Sequence, residues 1–565
     1  MPSSTLRRAF LMAASLLTCV AVFFVGCGGT SSGTSPSTNN NTGNPGTPGN
    51  PSPGGGPTPG LGTSVSILTQ HYDVARTGAN VSETVLTPGN VNSNQFGKLF
   101  SFPVDGQMYA QPLYVPGVSI PGKGTRNVVY AATEHDTVYA FDADGATSSA
   151  LWQRSFINPS AGITTVSDDD FPQPYEDIAP EIGITSTPVI DPSTGTLYVV
   201  AKTKENGNFV QRLHALDIAT GAEKFGGPVT IRASVAGGGV RNDGNGNVVF
   251  DPLINLQRSG LLLAGGTVYV AFASHGDFDP FNGWLLGYDA HSLKQVIAYA
   301  PDVDGSGGSV WQAGGGPAAD ASGNIYVAVA NGDFDVPGGG RDYGDSALKL
   351  RSAGSGFTVV DYFTPFDQQA LAELDHDLGS GGVVLLPDQP GSPSHLLLAS
   401  NKEGKLYVIN RDNMGHFNAA NDNQIPQTIQ LAGGIFSTPA VWQNKVYVSA
   451  VRDSLKSFTV NAGQLTLASD TGQVLGYPGS TPVISANGNS NGIVWTLQVD
   501  HQLSDAAVLH AYDANDVSHE LYNSMQAGDR DTAGASVKFT VPVIANGKVY
   551  VGGGDQLTVY GLLGK

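Results

Sequence analysis

Acids and histidines gather in this sequence in short turn-like clusters. Glu134-His135-Asp136, Lys204-Glu205-Asn206, Ser274-His275-Gly276-Asp277, Asn331-Gly332-Asp333, Asn401-Lys402-Glu403, Arg452-Asp453 and Asp500-His501 form one set. Asp168-Asp169-Asp170, Glu176-Asp177, Asp302-Val303-Asp304 and Asp375-His376-Asp377 form a second. Their carboxylate and carboxamide oxygens are hard donors of the kind calcium takes, although no cluster completes an EF-hand loop. A histidine between acids is a transition-metal ligand type, but no two histidines stand at a zinc-binding spacing, so zinc is not expected.

The elements that must position these clusters repeat. An apolar strand following Pro, a short turn, a Val-Tyr-Val-like strand, a polar turn and a strand ending near an acid recur along the chain. Clear copies are Thr187-Pro188-Val189-Ile190 with Leu197-Tyr198-Val199 and Leu213-His214-Ala215-Leu216-Asp217, and Thr438-Pro439-Ala440-Val441 with Val446-Tyr447-Val448. Val129-Tyr130, Val268-Tyr269, Ile325-Tyr326, Leu406-Tyr407, Val494-Trp495 and Val549-Tyr550 anchor the rest, making eight units. With 74 glycines and 34 prolines the composition favours many short strands. The expected fold is all-β, an eight-bladed β-propeller of four-stranded antiparallel blades A to D. The last unit stops at Gly561-Leu562-Leu563 without an outer strand, and Lys98-Leu99-Phe100-Ser101-Phe102 precedes the first inner strand. Pairing of these N- and C-terminal strands would close the ring. Because strand direction reverses at every step, B-to-C turns and D-to-A connections share one face, so most of the acidic clusters fall on a single rim. Gln70 to Asn80 is expected to be a polar lead-in covering a strand edge, with lining of the channel mouth as the alternative.

Residues 1–26 read as an export signal, with Arg7 and Arg8 before an apolar run from Phe10 to Val25 that is short for a membrane span. Phe24-Val25-Gly26-Cys27 resembles the bacterial lipobox, which would make Cys27 the lipidated first residue of the mature chain; an ordinary cleaved signal peptide is the alternative. Residues 27–64, almost only Gly, Ser, Thr, Asn and Pro after Cys27, cannot bury a core and read as a disordered tether to a propeller at 65–565. Both cysteines, Cys19 and Cys27, precede that domain, so no disulfide is expected within it. Removing the leader's two arginines takes the net charge from −20 to −22, which argues against nucleic acid and leaves the lipid as the expected membrane attachment.

Within the repeats, the stretch from Trp311 to Asp412 resembles the pyrroloquinoline-quinone (PQQ) dehydrogenases, eight-bladed propellers whose likeness spans essentially residues 66–563. Gly308-Ser309-Val310-Trp311 is similar to the segment placing a Trp under the quinone, and Gly323-Asn324-Ile325-Tyr326 through Asn331 to a strand ending in a calcium-binding Asn. Thr364-Pro365-Phe366-Asp367 with Leu374-Asp375-His376-Asp377 resembles the loop bearing the catalytic Asp, and Asn401-Lys402-Glu403 the segment supplying a cation to the quinone. The resemblance therefore implies Trp311 as floor, Asn331 and Asp375 as calcium ligands, Asp375 also as base, and Lys402 as cation. It implies PQQ and calcium as cofactors. Three departures stand beside it. There is no cysteine pair to cap a quinone, Leu374 replaces the Trp usual before the catalytic Asp, and the acidic calcium ligand of an earlier blade has Glu205 as its candidate.

Two functions follow. The leading expectation is a lipid-anchored scaffold at the bacterial envelope whose acidic loop face binds an envelope protein or small ligand, similar in plan to the propeller lipoprotein of the outer-membrane barrel-assembly machinery. The alternative is a PQQ- and calcium-dependent periplasmic dehydrogenase of alcohols or sugars.

Overall fold

The computed structural model describes residues 65–564; the export signal, Cys27 and the tether lie outside the described residues. Eight antiparallel sheets follow one another in chain order. Their innermost strands begin with Leu113–Ile120 and Val189–Asp191 and end with Val483–Asn487 and Val543–Ala545. Ring closure is as the terminal segments predict: Phe96–Pro103 pairs antiparallel with Gln556–Leu562, from Phe96 opposite Leu562 to Pro103 opposite Gln556, as the outer strand of the eighth blade. One short α-helix, Gln368–Leu374, and a hairpin of Ser234–Ala236 with Asn247–Val249 lie between blades.

The recurrent tyrosine has a physical reason. It sits on strand B with its ring buried against the next blade, and in four blades its hydroxyl donates to the carbonyl of the residue just after the neighbour's strand C. The pairs are Tyr130 with Ile218 (2.9 Å), Tyr198 with Ala290 (2.7 Å), Tyr447 with Ala514 (2.6 Å) and Tyr550 with Ala143 (3.3 Å). Each such residue would bury most of a large ring and satisfy its polar end in one contact. The acid that ends strand C thus marks the point where the next blade's acceptor begins.

The lead-in is where the structure corrects the expectation. Residues 67–80 do not cover one strand edge; they cross the inner strands of every blade in turn. Ile67 exchanges backbone hydrogen bonds with Tyr114, and the carbonyls of Leu68, Val74, Ala75, Thr77 and Gly78 accept from Ile190, Ala319, Leu385, Val441 and Ile484. Thr69 Oγ1 donates to Leu261 O, and Asn80 Nδ2 to Ile544 O at 3.0 Å. Arg76, fully buried and in the left-handed region at φ 66°, locks this segment. Its guanidinium reaches Pro317 O (2.8 Å), Gln70 O (2.7 Å), Thr69 Oγ1 (2.8 Å) and Leu261 O (3.3 Å). The polarity of the lead-in is spent on inner-strand backbone groups that would otherwise be unpaired in the middle of the ring.

Candidate functional site

Above that plug the D-to-A connections and B-to-C turns enclose a cavity of about 440 Å³. Trp311, Asn331, Asp375 and Lys402, drawn from four separate chain segments, all line it. Glu205 does not. Strands Thr196–Glu205 and Asn208–Asp217 form a long hairpin, and Arg212 on its second strand takes the Glu205 carboxylate at both oxygens, Nη2 to Oε2 at 2.9 Å. Glu205 belongs to a separate depression between the first two blades, with Phe156 and His214.

Trp311 precedes a tight turn, Gln312–Gly314, whose Gln312 and Ala313 are left-handed at φ 50° and 48°. The buried Gln312 side chain holds that turn, accepting from Ala328 N (2.8 Å) and donating to Gly315 O (2.8 Å), while its backbone N–H bonds Gly379 O. The Trp311 ring meets Phe539 and Phe436 edge-on, at centroid distances of 5.4 and 6.0 Å, and Tyr109, Tyr175 and Tyr477 add further aromatic wall.

Asp375 is set by the helix the sequence did not reveal: it caps Gln368–Leu374 in the left-handed conformation, φ 58°, with its N–H on Leu371 O. Its carboxylate accepts from Asn331 Nδ2 at 2.8 Å and Lys402 Nζ at 2.9 Å. Lys402 Nζ also pairs with buried Asp377 at 2.6 Å. Burial first, then Asp375's charge against the pull of Lys402, leaves the Asp377 carboxyl pushed up to about 7. The two carboxylates outweigh burial at Lys402 and hold its ammonium above the ordinary lysine range. The carboxamide oxygen of Asn331 is buried and has no hydrogen-bond partner. Asp277, from the third blade's turn, reaches the same cavity.

Arg258, Lys538, Tyr109 and Phe539 line the cavity and were not singled out by the sequence. Arg258 is one polar residue in the approach to an inner strand and Lys538-Phe539 lies in a long connection, so neither carries a motif. The face on which all of them lie was legible from strand alternation alone. Among the described residues no group of three His, Cys, Asp or Glu side chains is gathered as a metal site. Any cation here would rest on Asn331 with one or two carboxylates.

No protein-family model and no curated sequence matches the chain. Solved structures do. The quinohemoprotein alcohol dehydrogenase ADHIIG from Pseudomonas putida HK5 matches with a TM-score of 0.57 at 16% identity, over 88% of this chain and 81% of that one. The quinohemoprotein alcohol dehydrogenase from Comamonas testosteroni matches at 0.56 and 17%, over 88% and 81%. A europium-containing methanol dehydrogenase matches at 0.54 and 14%, over 88% and 98%. At these identities the likeness establishes the fold: the chain has the eight-bladed architecture of the quinoprotein alcohol dehydrogenases.

Proposed function

We propose that the cavity binds a flat aromatic quinone of the PQQ type together with a calcium ion, and that the protein is an envelope oxidoreductase acting on a small alcohol or sugar. The observation that carries this reading is convergence: Trp311, Asn331, Asp375 and Lys402, scattered over some 90 residues of sequence, line one aromatic cavity. The residues also fit the groups chemically. The unpartnered carboxamide oxygen of Asn331, with the Asp375 and Asp277 carboxylates on the same cavity, offers calcium hard oxygen donors. Trp311 offers a ring against which a planar ligand would stack. When bound, the quinone would accept the hydride from the substrate carbon. Asp375 would take the substrate's hydroxyl proton as the hydride leaves, through Oδ2, since Oδ1 already accepts from Asn331 and Lys402; its side chain, 56% exposed, is open to do so. Lys402, held by Asp377 from the buried side, keeps a positive charge at the cavity wall in either case.

The second reading, a partner-binding scaffold at the acidic loop face, is favoured by one observation: Asp375 is already tied to Lys402. Under both readings the chain is exported and anchored by lipidated Cys27.

Titrating the purified protein with PQQ in calcium and then in chelator, with dye-linked oxidation of alcohols and sugars, decides between them. Saturable calcium-dependent binding, lost in Asn331→Ala, with turnover but not binding lost in Asp375→Asn, is expected for the oxidoreductase. Absence of PQQ binding would leave the scaffold.

A further inference from the structure

A depression of about 430 Å³ lies between the first and second blades and shares no lining residue with the central cavity. Its shape follows from the strands. Thr196–Glu205 and Asn208–Asp217 pair with Val199 opposite His214 and Ala201 opposite Arg212, which sets these side chains on the face turned to the first blade. The outer strand of the second blade is reduced to Val229–Thr230, and that of the first, Trp152–Ser155, ends before Phe156. Ile163–Ser167 folds back to pair with the end of Thr196–Glu205 and closes one side. At the centre Ala201 has a single methyl group, which leaves the space that a larger residue would fill.

Three polar groups in this depression are unspent. His214, 5% exposed, turns Nδ1 to Glu223 Oε1 at 2.7 Å, so the ring proton sits on that nitrogen. Burial, with the Arg212 and Arg154 charges, outweighs Glu223 and holds the imidazole below the ordinary histidine range. The ring is therefore neutral at neutral pH, and Nε2 keeps a lone pair that meets no donor among the described residues. Glu223 Oε2 is buried and also lacks a hydrogen-bond partner. Both groups are acceptors, and leaving them unpaired is costly. The complementary group is Arg154, whose exposed guanidinium makes no hydrogen bond or ion pair among the described residues. Arg212, by contrast, spends both terminal nitrogens on Glu205. Phe156 lies flat on the His214 ring, with centroids 3.8 Å apart, and Ile157, Ile163 and Pro228 complete an apolar wall.

We propose that this inter-blade depression is a second ligand site, separate from the central cavity, and that it takes a small zwitterion of the α-amino acid type with an apolar side chain. The ammonium group supplies the donors that His214 Nε2 and Glu223 Oε2 lack, and the Glu223 charge balances it. The carboxylate pairs with the Arg154 guanidinium at the open end. The side chain lies on the apolar wall, in a space of the size that small-molecule sites have. A plain amine would leave Arg154 unused, and a plain acid would leave both acceptors unpaired.

The test uses the full-length purified protein and isothermal titration with L-phenylalanine, with phenethylamine, which lacks the carboxylate, and with 3-phenylpropionate, which lacks the ammonium. L-Phenylalanine is expected to bind at least about tenfold more tightly than either analogue. Arg154→Gln should remove its advantage over phenethylamine and keep that over 3-phenylpropionate. Glu223→Gln should do the reverse. Arg154 is exposed, so Arg154→Gln decides the matter should Glu223→Gln fail to fold. Equal binding of the three compounds, no binding of L-phenylalanine, or an advantage over phenethylamine that survives Arg154→Gln overturns the proposal.

Discussion

Two buried arginines divide this propeller into an end that is finished and an end that is not. Arg76, beneath the cavity, spreads its guanidinium over Pro317, Gln70, Leu261 and the Thr69 hydroxyl. Arg258, in the cavity wall, gives one bond to Ala313. Burial weakens the positive charge of both, bringing each down to about 10. The same side chain under the same desolvation therefore meets two different environments. At the closed end the donors answer the carbonyls of Pro317, Leu261 and Gln70 and the Thr69 hydroxyl. At the open end the donors face a space. The difference teaches that burial alone does not mark a functional residue; the missing partner does.

The largest test of this contrast is to remove each charge. Arg76→Met leaves several buried acceptors without donors and should cost about 3–5 kcal/mol in denaturant unfolding. Arg258→Met strips few bonds and removes an uncompensated charge, so its stability should stay within about 1 kcal/mol of the wild type. Equal losses in the two variants would erase the distinction between the ends.

Next in size is a buried carboxyl whose charge is coupled to Arg258. Glu134 is fully buried, accepts from Gly183 N at 2.8 Å and Thr185 Oγ1 at 3.0 Å, and leaves Oε1 without a partner. Burial dominates those bonds and pushes its pKa from 4.5 to about 7. Between these values the folded protein keeps a proton that the unfolded chain has released. The contribution is therefore full below the unfolded value and is lost as pH rises through about 7. Glu134→Gln should remove a decline on the order of 3 kcal/mol across that window, read as denaturation midpoints in mildly acidic and mildly alkaline buffer. Because Arg258 helps hold Glu134 ionised, Arg258→Met should carry the decline to higher pH. An unchanged window would mean the two groups do not communicate.

Much of this architecture was open to a reader of the sequence because it is local or periodic. The strand-B tyrosines and the acids ending strand C repeat because each blade meets the next in the same way, and alternation of direction then assigns turns to faces. That mapping puts Asn331, Asp375 and Lys402 on one rim, while Trp311 is marked only by the resemblance to the PQQ dehydrogenases. What stayed hidden depends on long-range geometry. Gln70 to Asn80 reads as edge cover because it is polar, but residues 67–80 reach the eight inner strands mostly through main-chain groups, which no side-chain pattern announces. Glu205 sat at the right kind of turn, but its long hairpin and Arg212 keep it away from the cavity. The left-handed Asp375 cap needed a helix of seven residues that no periodicity announces. Arg258 has no motif at all, since its meaning lies in what it fails to touch.

The smallest test applies the same contrast to a hydroxyl. Tyr447 donates to Ala514 O across the blade boundary at 2.6 Å, whereas the Tyr299 hydroxyl is buried and has no partner. Tyr447→Phe should cost about 1 kcal/mol, the ordinary net worth of a buried hydrogen bond plus the carbonyl left behind. Tyr299→Phe removes a desolvated group that bonds nothing, and should be neutral or slightly stabilising. The two sites lie in different blades, sixth and third, so the double variant should match the sum of the singles. Were Tyr299→Phe to cost as much as Tyr447→Phe, an ordered water would be holding the Tyr299 hydroxyl. The unfilled donors at Arg258 would then call for the same explanation before any ligand.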